Sequence, residues 1–164
     1  MRRLVILAAA VLALAACQPK PAAQDASVAS KAFMTKVVTE PGVRTLPSGV
    51  AYKIVRNGAA SGLRPQLGDE VKVHYEGKLV SGRVFDSSYE RGQPAAMPLK
   101  GLIPAWQEAL VLMRPGDEWI LYVPPEKGYG AEGAGGGQIP PNSALIFRIE
   151  LIDVLPGPGH ILQG

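Results

Sequence analysis

Beyond residue 40, only one stretch of this chain carries helical periodicity. In Leu102–Met113 the apolar residues Ile103, Trp106, Ala109, Leu110 and Met113 recur at three- and four-residue steps and so share one face. Pro104 suits a first helical turn, where its missing N–H costs nothing, and Arg114-Pro115-Gly116 stops the helix. On both sides lie short β-like runs punctuated by glycine and proline, whose numbers (19 and 15) favour turns over long helices. One short helix amid many strands has to be what the sheet folds around. The expected class is therefore α+β, an antiparallel β-sheet with a single helix on its concave face. Trp106 has two readings on this pattern: packed core, the commoner role of a Trp on an apolar helix face, or the floor of a pocket.

The strands are read from alternation. Val43–Leu46 and Val50–Arg56 flank a turn at Pro47-Ser48-Gly49. Asn57–Gly68 is loop-like. Val71, Val73 and Tyr75 point one way and Lys72, His74 and Glu76 the other, with a break expected at Glu76-Gly77 before Lys78–Val80. Ser81-Gly82 marks a tight hairpin turn leading to Arg83–Phe85. Trp119–Val123 is a strand stopped by Pro124-Pro125, and Ala144–Leu155 is the last, with Leu145, Phe147, Ile149 and Leu151 on one face.

The N-terminus reads as an address. Arg2 and Arg3 precede an unbroken apolar run, Leu4–Ala16, too short to span a bilayer but suited to a secretory signal peptide. Leu14-Ala15-Ala16-Cys17 resembles the lipobox of bacterial lipoproteins. Cys17 is the only cysteine, so no intrachain disulfide can form, and acylation explains an unpaired Cys in an exported protein. Ordinary cleavage nearby, leaving a free thiol, is the alternative. Gln18–Lys31 is small, polar and Pro-containing, as a flexible spacer would be. Phe33, Met34, Val37 and Val38 have helical spacing, consistent with a short amphipathic helix or with a partly ordered linker. The expected organisation is a signal peptide over 1–16, a lipidated Cys17 and tether over 17–41, one domain over 42–155, and a disordered tail over 156–164.

Charge excludes one class of partner. Without Arg2 and Arg3, 15 basic residues face 14 acidic ones and no basic tract of five exists, so no nucleic acid is expected. His74 sits on the polar face of a strand and His160 in the tail, both read as solvated. Neither a metal cluster nor a Ser/Cys–His pair can be assembled, so no metal or other cofactor is expected. The run Gly133-Ala134-Gly135-Gly136-Gly137 lacks the Lys-Ser/Thr ending of a phosphate loop. What remains is a concentration of aromatic and aliphatic residues beside prolines and glycines.

Five stretches stand in a recognisable order: Val73-His74-Tyr75-Glu76-Gly77, Val84-Phe85-Asp86-Ser87-Ser88, Leu102-Ile103-Pro104-Ala105-Trp106, Tyr129-Gly130-Ala131 and Ile139-Pro140-Pro141-Asn142. In this the chain resembles the FKBP-type peptidyl-prolyl isomerases over roughly Gly42 to Val154. Thr45-Leu46-Pro47-Ser48-Gly49 is most similar to the exported branch typified by the macrophage infectivity potentiator proteins. The resemblance implies a sheet half-wrapped around the helix, with an apolar pocket between them. It implies Trp106 as pocket floor, Tyr75, Phe85 and Phe147 as walls, and Leu102, Ile103 and Ile139 as rim. It further implies that the Ile103 N–H and the Tyr129 hydroxyl hold peptide carbonyls, and that Asp86 is a buried aspartate held by Tyr75 and Arg91. A plain turn residue before Ser87-Ser88 is the other reading of Asp86. Phe85, Asp86 and Tyr129 are the implied catalytic set.

Three departures from the family pattern stand out. Ala95-Ala96-Met97 replaces an aromatic wall, with Met97 filling volume flexibly. Ala105 replaces a glycine. The flap Ala131–Gln138 is glycine-rich, lacks an anchoring aromatic, and is expected to be mobile. The implied activity is rotation about X–Pro bonds in unfolded or partly folded exported polypeptides, which needs no nucleophile. The competing function is a holdase chaperone with little isomerase activity. The implied place is the cell envelope, anchored by lipid on Cys17, most similar to the outer-membrane sorting case, and as a monomer because the region before the domain is short.

Overall fold

The structure is a computed structural model that describes residues 21–160; the expected signal peptide, Cys17 and the last four residues of the tail lie outside them. Among the described residues, helix α1 (Pro21–Val37) precedes strands β1 (Val43–Thr45), β2 (Ala51–Arg56), β3 (Glu70–Leu79), β4 (Val84–Ser87) and β5 (Ala95–Pro98). Helix α2 (Pro104–Leu110), β6 (Glu118–Val123) and β7 (Leu145–Leu155) follow. The strands form one antiparallel sheet in the order β1-β2-β6-β7-β3-β4, and β5 also pairs with β3. The α+β expectation holds, with one helix in the concave face.

Alternation decides which side chains enter that face. Val71, Val73, Tyr75 and Leu79 of β3 are buried, as are Leu145, Phe147, Ile149 and Leu151 of β7. On β7 the pairing slips between Leu151 and Asp153, so Ile152 is the extra residue of a bulge and Val154 turns inward. From α2 come Ala105, Trp106, Ala109 and Leu110, with Met113 wholly buried just beyond. The helix is shorter than its periodicity. Leu112 and Met113 donate to Ala109 and Leu110, three residues back, and Pro115 bars continuation. This tightened turn keeps Met113 on the buried face.

Three expectations are corrected. β3 runs unbroken through Gly77. β5 occupies the Ala95–Met97 stretch that alternation did not mark. Helix α1 begins at Pro21, inside the supposed spacer, because a segment with Ala22, Ala23, Ala26, Ala29 and Ala32 has high helix propensity even when it is polar overall. Phe33, Met34 and Val37 pack on Ala51 and Tyr122, on the side of the sheet opposite α2, with the Phe33 and Tyr122 rings 6.0 Å apart. None of the described helices is long and apolar enough to cross a membrane.

Both histidines also depart from the solvated reading. His74 Nδ1 lies 2.9 Å from the Ser88 hydroxyl, and its ring stacks on Tyr89 at 4.7 Å. The His160 side chain is only 4% exposed. Its Nδ1 meets Asp69 Oδ2 at 2.7 Å, an oxygen that also accepts the Gln66 N–H, while Asp69 Oδ1 accepts the Gly157 N–H. A buried carboxylate demands such donors. Here they draw the stretch 157–160, expected as part of a frayed tail, back onto the start of β3.

Burial alone would raise the Asp69 carboxyl, but the Gln66, Gly157 and His160 donors outweigh it and hold the group below the usual carboxylate range. A depressed folded-state value means the stabilisation is complete above the unfolded value and is lost as pH falls through the folded one. Asp69→Asn is expected to cost about 2–3 kcal/mol at neutral pH in urea denaturation, because whichever way its amide sits the NH2 group would face a backbone N–H, that of Gly157 or that of Gln66. The gap from the parent chain should shrink in acid. An unchanged gap at low pH would contradict the role assigned to this carboxylate.

Candidate functional site

The concave face opens at the N-terminal end of α2 into a cleft of about 260 Å³. Its lining comes from seven parts of the fold. β3 supplies Tyr75, β4 supplies Phe85 and Asp86, and β5 supplies Met97. The turn into α2 gives Gly101, Leu102 and Ile103, and the helix itself gives Trp106. Tyr129, from the loop after Lys127, and Phe147 of β7 complete the lining.

The rings meet edge to face. Trp106 stands perpendicular to Tyr75 (5.2 Å, 82°) and to Phe147 (5.3 Å, 88°), and Phe85 is perpendicular to Phe147 (5.7 Å, 85°). Such pairs suit the ring quadrupoles, and their crossed planes enclose a hollow instead of filling it. One backbone position permits this. A Cβ at Gly77 would lie 2.7 Å from both Phe85 and Phe147. The glycine read as a strand breaker is a seat for two rings. Trp106 is 4% exposed, so its two readings merge: it is core by burial and floor by position. Its indole Nε1 is buried without a hydrogen-bond partner.

One edge of the cleft is polar. The Tyr75 hydroxyl donates to Asp86 Oδ2 at 2.5 Å, Arg91 Nη1 pairs with Asp86 Oδ1, and Arg91 Nη2 donates to the Tyr75 hydroxyl at 2.9 Å. Asp86 was expected buried, yet its side chain is 42% exposed, because Tyr75 and Arg91 cover one side and the other meets the cleft. Burial pushes the Asp86 carboxyl up, but these two partners outweigh it and keep the group below the usual range. Burial, then the bond to Asp86, raises the Tyr75 hydroxyl; burial and the charge of Asp86 raise that of Tyr129. Both phenols stay protonated donors at neutral pH.

The mouth is held by residues that the sequence did not single out. Gln107 Nε2 donates to the carbonyls of Leu102 (2.7 Å) and Lys100 (3.2 Å), fixing the turn that presents Ile103. Among the described residues no hydrogen bond uses the Ile103 N–H, while the Ile103 carbonyl starts α2 by accepting from Trp106 and Gln107. Lys127 pairs with Glu108 at 3.0 Å and ties the turn before Tyr129 to α2. Tyr129 itself is 37% exposed. The glycine-rich flap is a small closed loop. Ala134 and Ile139 exchange both backbone hydrogen bonds at 3.0 Å, and Arg83 reaches across from the β3–β4 hairpin to the Gln138 carbonyl. Gly133 is obligatory there, at φ +67 and with its Cβ position 2.3 Å from the Ile139 carbonyl oxygen. Of the anticipated site residues, Ile139 is buried behind the flap and does not line the cleft. Arg91 reaches it only through Asp86 and Tyr75.

A larger cavity, about 480 Å³, lies beyond the other end of α2 among Tyr52, Ile54, Trp119 and three arginines. The carboxylate there, Asp117, is committed to the N–H groups of Gly58 and Arg114. The two rings of the larger cavity, Tyr52 and Trp119, stack face to face at 4.5 Å, whereas those of the smaller cleft cross and leave a hollow between them.

The chain is similar in sequence and fold to known proteins. The family described as FKBP-type peptidyl-prolyl cis-trans isomerase matches residues 62–152. The chain is 54% identical over 125 residues to the peptidyl-prolyl cis-trans isomerase Mip of Coxiella burnetii, covering 76% of this chain and 53% of that one. It is 42% identical over 132 residues to the outer membrane protein MIP of Legionella longbeachae, covering 80% and 55%. The crystal structure of FkpA from Escherichia coli superposes with a TM-score of 0.78 at 42% identity, covering 84% of this chain and 62% of that one. The chain thus spans about half the length of the curated relatives it matches. With the family match over residues 62–152, the relatives' identity and the fold agreeing, this chain belongs to the FKBP-type peptidyl-prolyl cis-trans isomerase family.

Proposed function

We propose that the chain catalyses cis–trans rotation about X–Pro bonds of unfolded or partly folded exported polypeptides. The observation that carries this is the hollow between the crossed rings of Tyr75, Phe85, Trp106 and Phe147, rimmed by the free Ile103 N–H and the exposed Tyr129 hydroxyl. A proline ring is compact, apolar and without an N–H to satisfy, so it suits a dry hollow of this kind.

The barrier to be lowered, about 18–20 kcal/mol, is amide resonance lost on twisting. Uncatalysed exchange takes tens to hundreds of seconds or so. No bond is made or broken, and catalysis needs only tighter binding of the twisted amide than of either planar form. The ring walls hold the proline while the Ile103 N–H and Tyr129 hydroxyl fix the flanking carbonyls. Asp86, kept ionised by Tyr75 and Arg91, sets a negative charge at the edge of the cleft. A planar amide carries more negative charge on its oxygen than a twisted one, so this field favours the twist. Leu102 and Met97 close the apolar rim.

The N-terminal reading stands beside it. Residues 1–16 are proposed as a signal peptide and Cys17 as the acylated residue, placing the domain at the cell envelope as a lipid-anchored monomer. Support comes from Leu14-Ala15-Ala16-Cys17 and from likeness to a relative named as an outer membrane protein. Multiple acyl chains on one residue would anchor it stably.

A coupled assay with a prolyl tetrapeptide tests the activity on residues 18–164. No rate above background, with aggregation of an unfolded client still suppressed, would replace the isomerase by a holdase. Tyr129→Phe is expected to lower kcat/KM by about three- to tenfold, the worth of one hydrogen bond. Phe85→Ala should lower it about a hundredfold, because the proline would no longer be held in register. Gly77→Ala, which drives a methyl into two rings, should approach the Phe85→Ala value while leaving a folded chain. For the anchor, fractionation of a Cys17→Ser variant should find it released from membranes, and a variant that stayed bound would remove lipid from the account.

A further inference from the structure

Helix α1 reaches the cleft through one buried hydroxyl. Ser30 is 3% exposed, and its hydroxyl donates to the Asn142 carbonyl at 2.8 Å while accepting the Ala144 N–H at 2.7 Å. A serine inside a helix commonly turns its hydroxyl back to its own backbone or to solvent. This one commits both of its functions to a segment 112 and 114 residues away.

That segment is the far side of the flap. Asn142 is the one non-glycine residue at positive φ (58°) among the described residues, a conformation that persists where surrounding bonds enforce it. Two bonds do so here. Its carbonyl takes the Ser30 proton, and its N–H donates to the Gly130 carbonyl at 2.8 Å. Gly130 follows Tyr129 directly, and Gly133 returns to the Tyr129 carbonyl at 3.1 Å. Two hydrogen bonds and one strained peptide therefore separate α1 from the backbone of the tyrosine at the rim of the cleft.

We infer that Ser30 is a positioning residue for the prolyl cleft, setting through Asn142 and Gly130 where the Tyr129 hydroxyl stands. The inference rests on the role proposed above for Tyr129. It makes α1 part of the site's support and not a linker. Without the Ser30 hydroxyl, the Asn142 carbonyl and the Ala144 N–H would lose their partner, and Asn142 would be free to relax from positive φ.

The test uses the full chain with Ser30→Ala and Ser30→Thr, each with and without Tyr129→Phe. Cavities beside Ser30 leave room for the methyl of threonine. Ser30→Ala is expected to raise KM for a prolyl tetrapeptide roughly three- to tenfold with little change in kcat, and Ser30→Thr to restore it. In the Tyr129→Phe background the same substitution should leave KM unmoved. Amide hydrogen exchange gives a readout that needs no activity: Ser30→Ala should speed exchange at Asn142 and at Gly133. A lowered melting temperature with unchanged KM would reduce Ser30 to a structural residue and overturn the inference, as would full additivity with Tyr129→Phe. If the parent chain proved inactive, the proposed function would fall, and unaltered exchange at Asn142 and Gly133 would then overturn the relay on its own evidence.

Discussion

Two phenylalanine rings lie where β3 has no side chain, and the cleft exists because of it. Gly77 pairs with Phe147 on β7 and with Asp86 on β4, where the register slips and Phe85 is the extra residue, so the rings of Phe147 and Phe85 occupy the space a Cβ would take. A glycine inside a strand costs about 0.5–1 kcal/mol relative to alanine. The two perpendicular ring pairs that include a ring seated over Gly77, Phe85–Phe147 and Trp106–Phe147, are worth about 0.5–1.5 kcal/mol each beyond the area they bury. The exchange favours glycine. It also leaves the hollow, because crossed rings cannot close on one another. An alanine would force one ring outward into a cleft of only about 260 Å³.

The polar edge of the cleft obeys a different balance. Asp86 is partly desolvated, which by itself favours the neutral acid, yet the Tyr75 hydroxyl and the Arg91 guanidinium overcome that and keep the charge. Arg91 is 45% exposed, so its Coulomb attraction is screened and contributes little to stability. Its value is geometric. One guanidinium bridges Asp86 and Tyr75 while lying 5.5 Å above the Tyr75 ring, and this fixes the wall and the carboxylate together. Because Tyr75 is also edge-on to Trp106, the charge at the rim and the floor of the hollow are positioned through one side chain.

Those parts of the fold that rest on local pattern were legible in the sequence. Alternation over Val71–Tyr75 and Leu145–Leu151 marked the buried face, and Pro104 with Pro115-Gly116 bracketed α2. The cleft was legible through motifs: eight of the ten lining residues had been named as walls, floor, rim or charge, Met97 had been noted as a replaced wall, and Gly101 alone had not been named. Failures came where one residue type serves two purposes. Gly77 resembles a breaker because glycine weakens strands in general, and only the rings packed over it show why it is kept. Ala95–Pro98 carries no β-branched or aromatic residue, so nothing local marks it as a strand, and its pairing with Glu70–Val73 makes it one. The alanines of α1 give no apolar stripe and so resemble a spacer, and the three apolar residues that dock the helix come only in its last turns.

The remaining misreadings share a cause, which is that buried polar atoms choose their partners over long distances in sequence. Asp69 gathers Gln66, Gly157 and His160, and Ser30 gathers Asn142 and Ala144. A hydrogen bond of this kind is worth only about 1 kcal/mol net, but leaving either partner buried and unpaired costs about 1–3 kcal/mol, more for a charge. The penalty therefore decides which segments stay docked. At both ends of the described chain the hydrophobic pattern is nearly exhausted: α1 contributes three apolar residues, and the 157–160 stretch consists of two glycines, a proline and a histidine. The 157–160 stretch has almost no apolar side chain to bury, whereas α1 has the contacts of Phe33, Met34 and Val37 with Ala51 and Tyr122. In both cases withdrawal would also strand a carboxylate or a pair of backbone groups inside the fold. The C-terminal edge of this domain is thus set by hydrogen-bond closure and the α1 edge by closure together with apolar packing, while the centre is set by packing around α2.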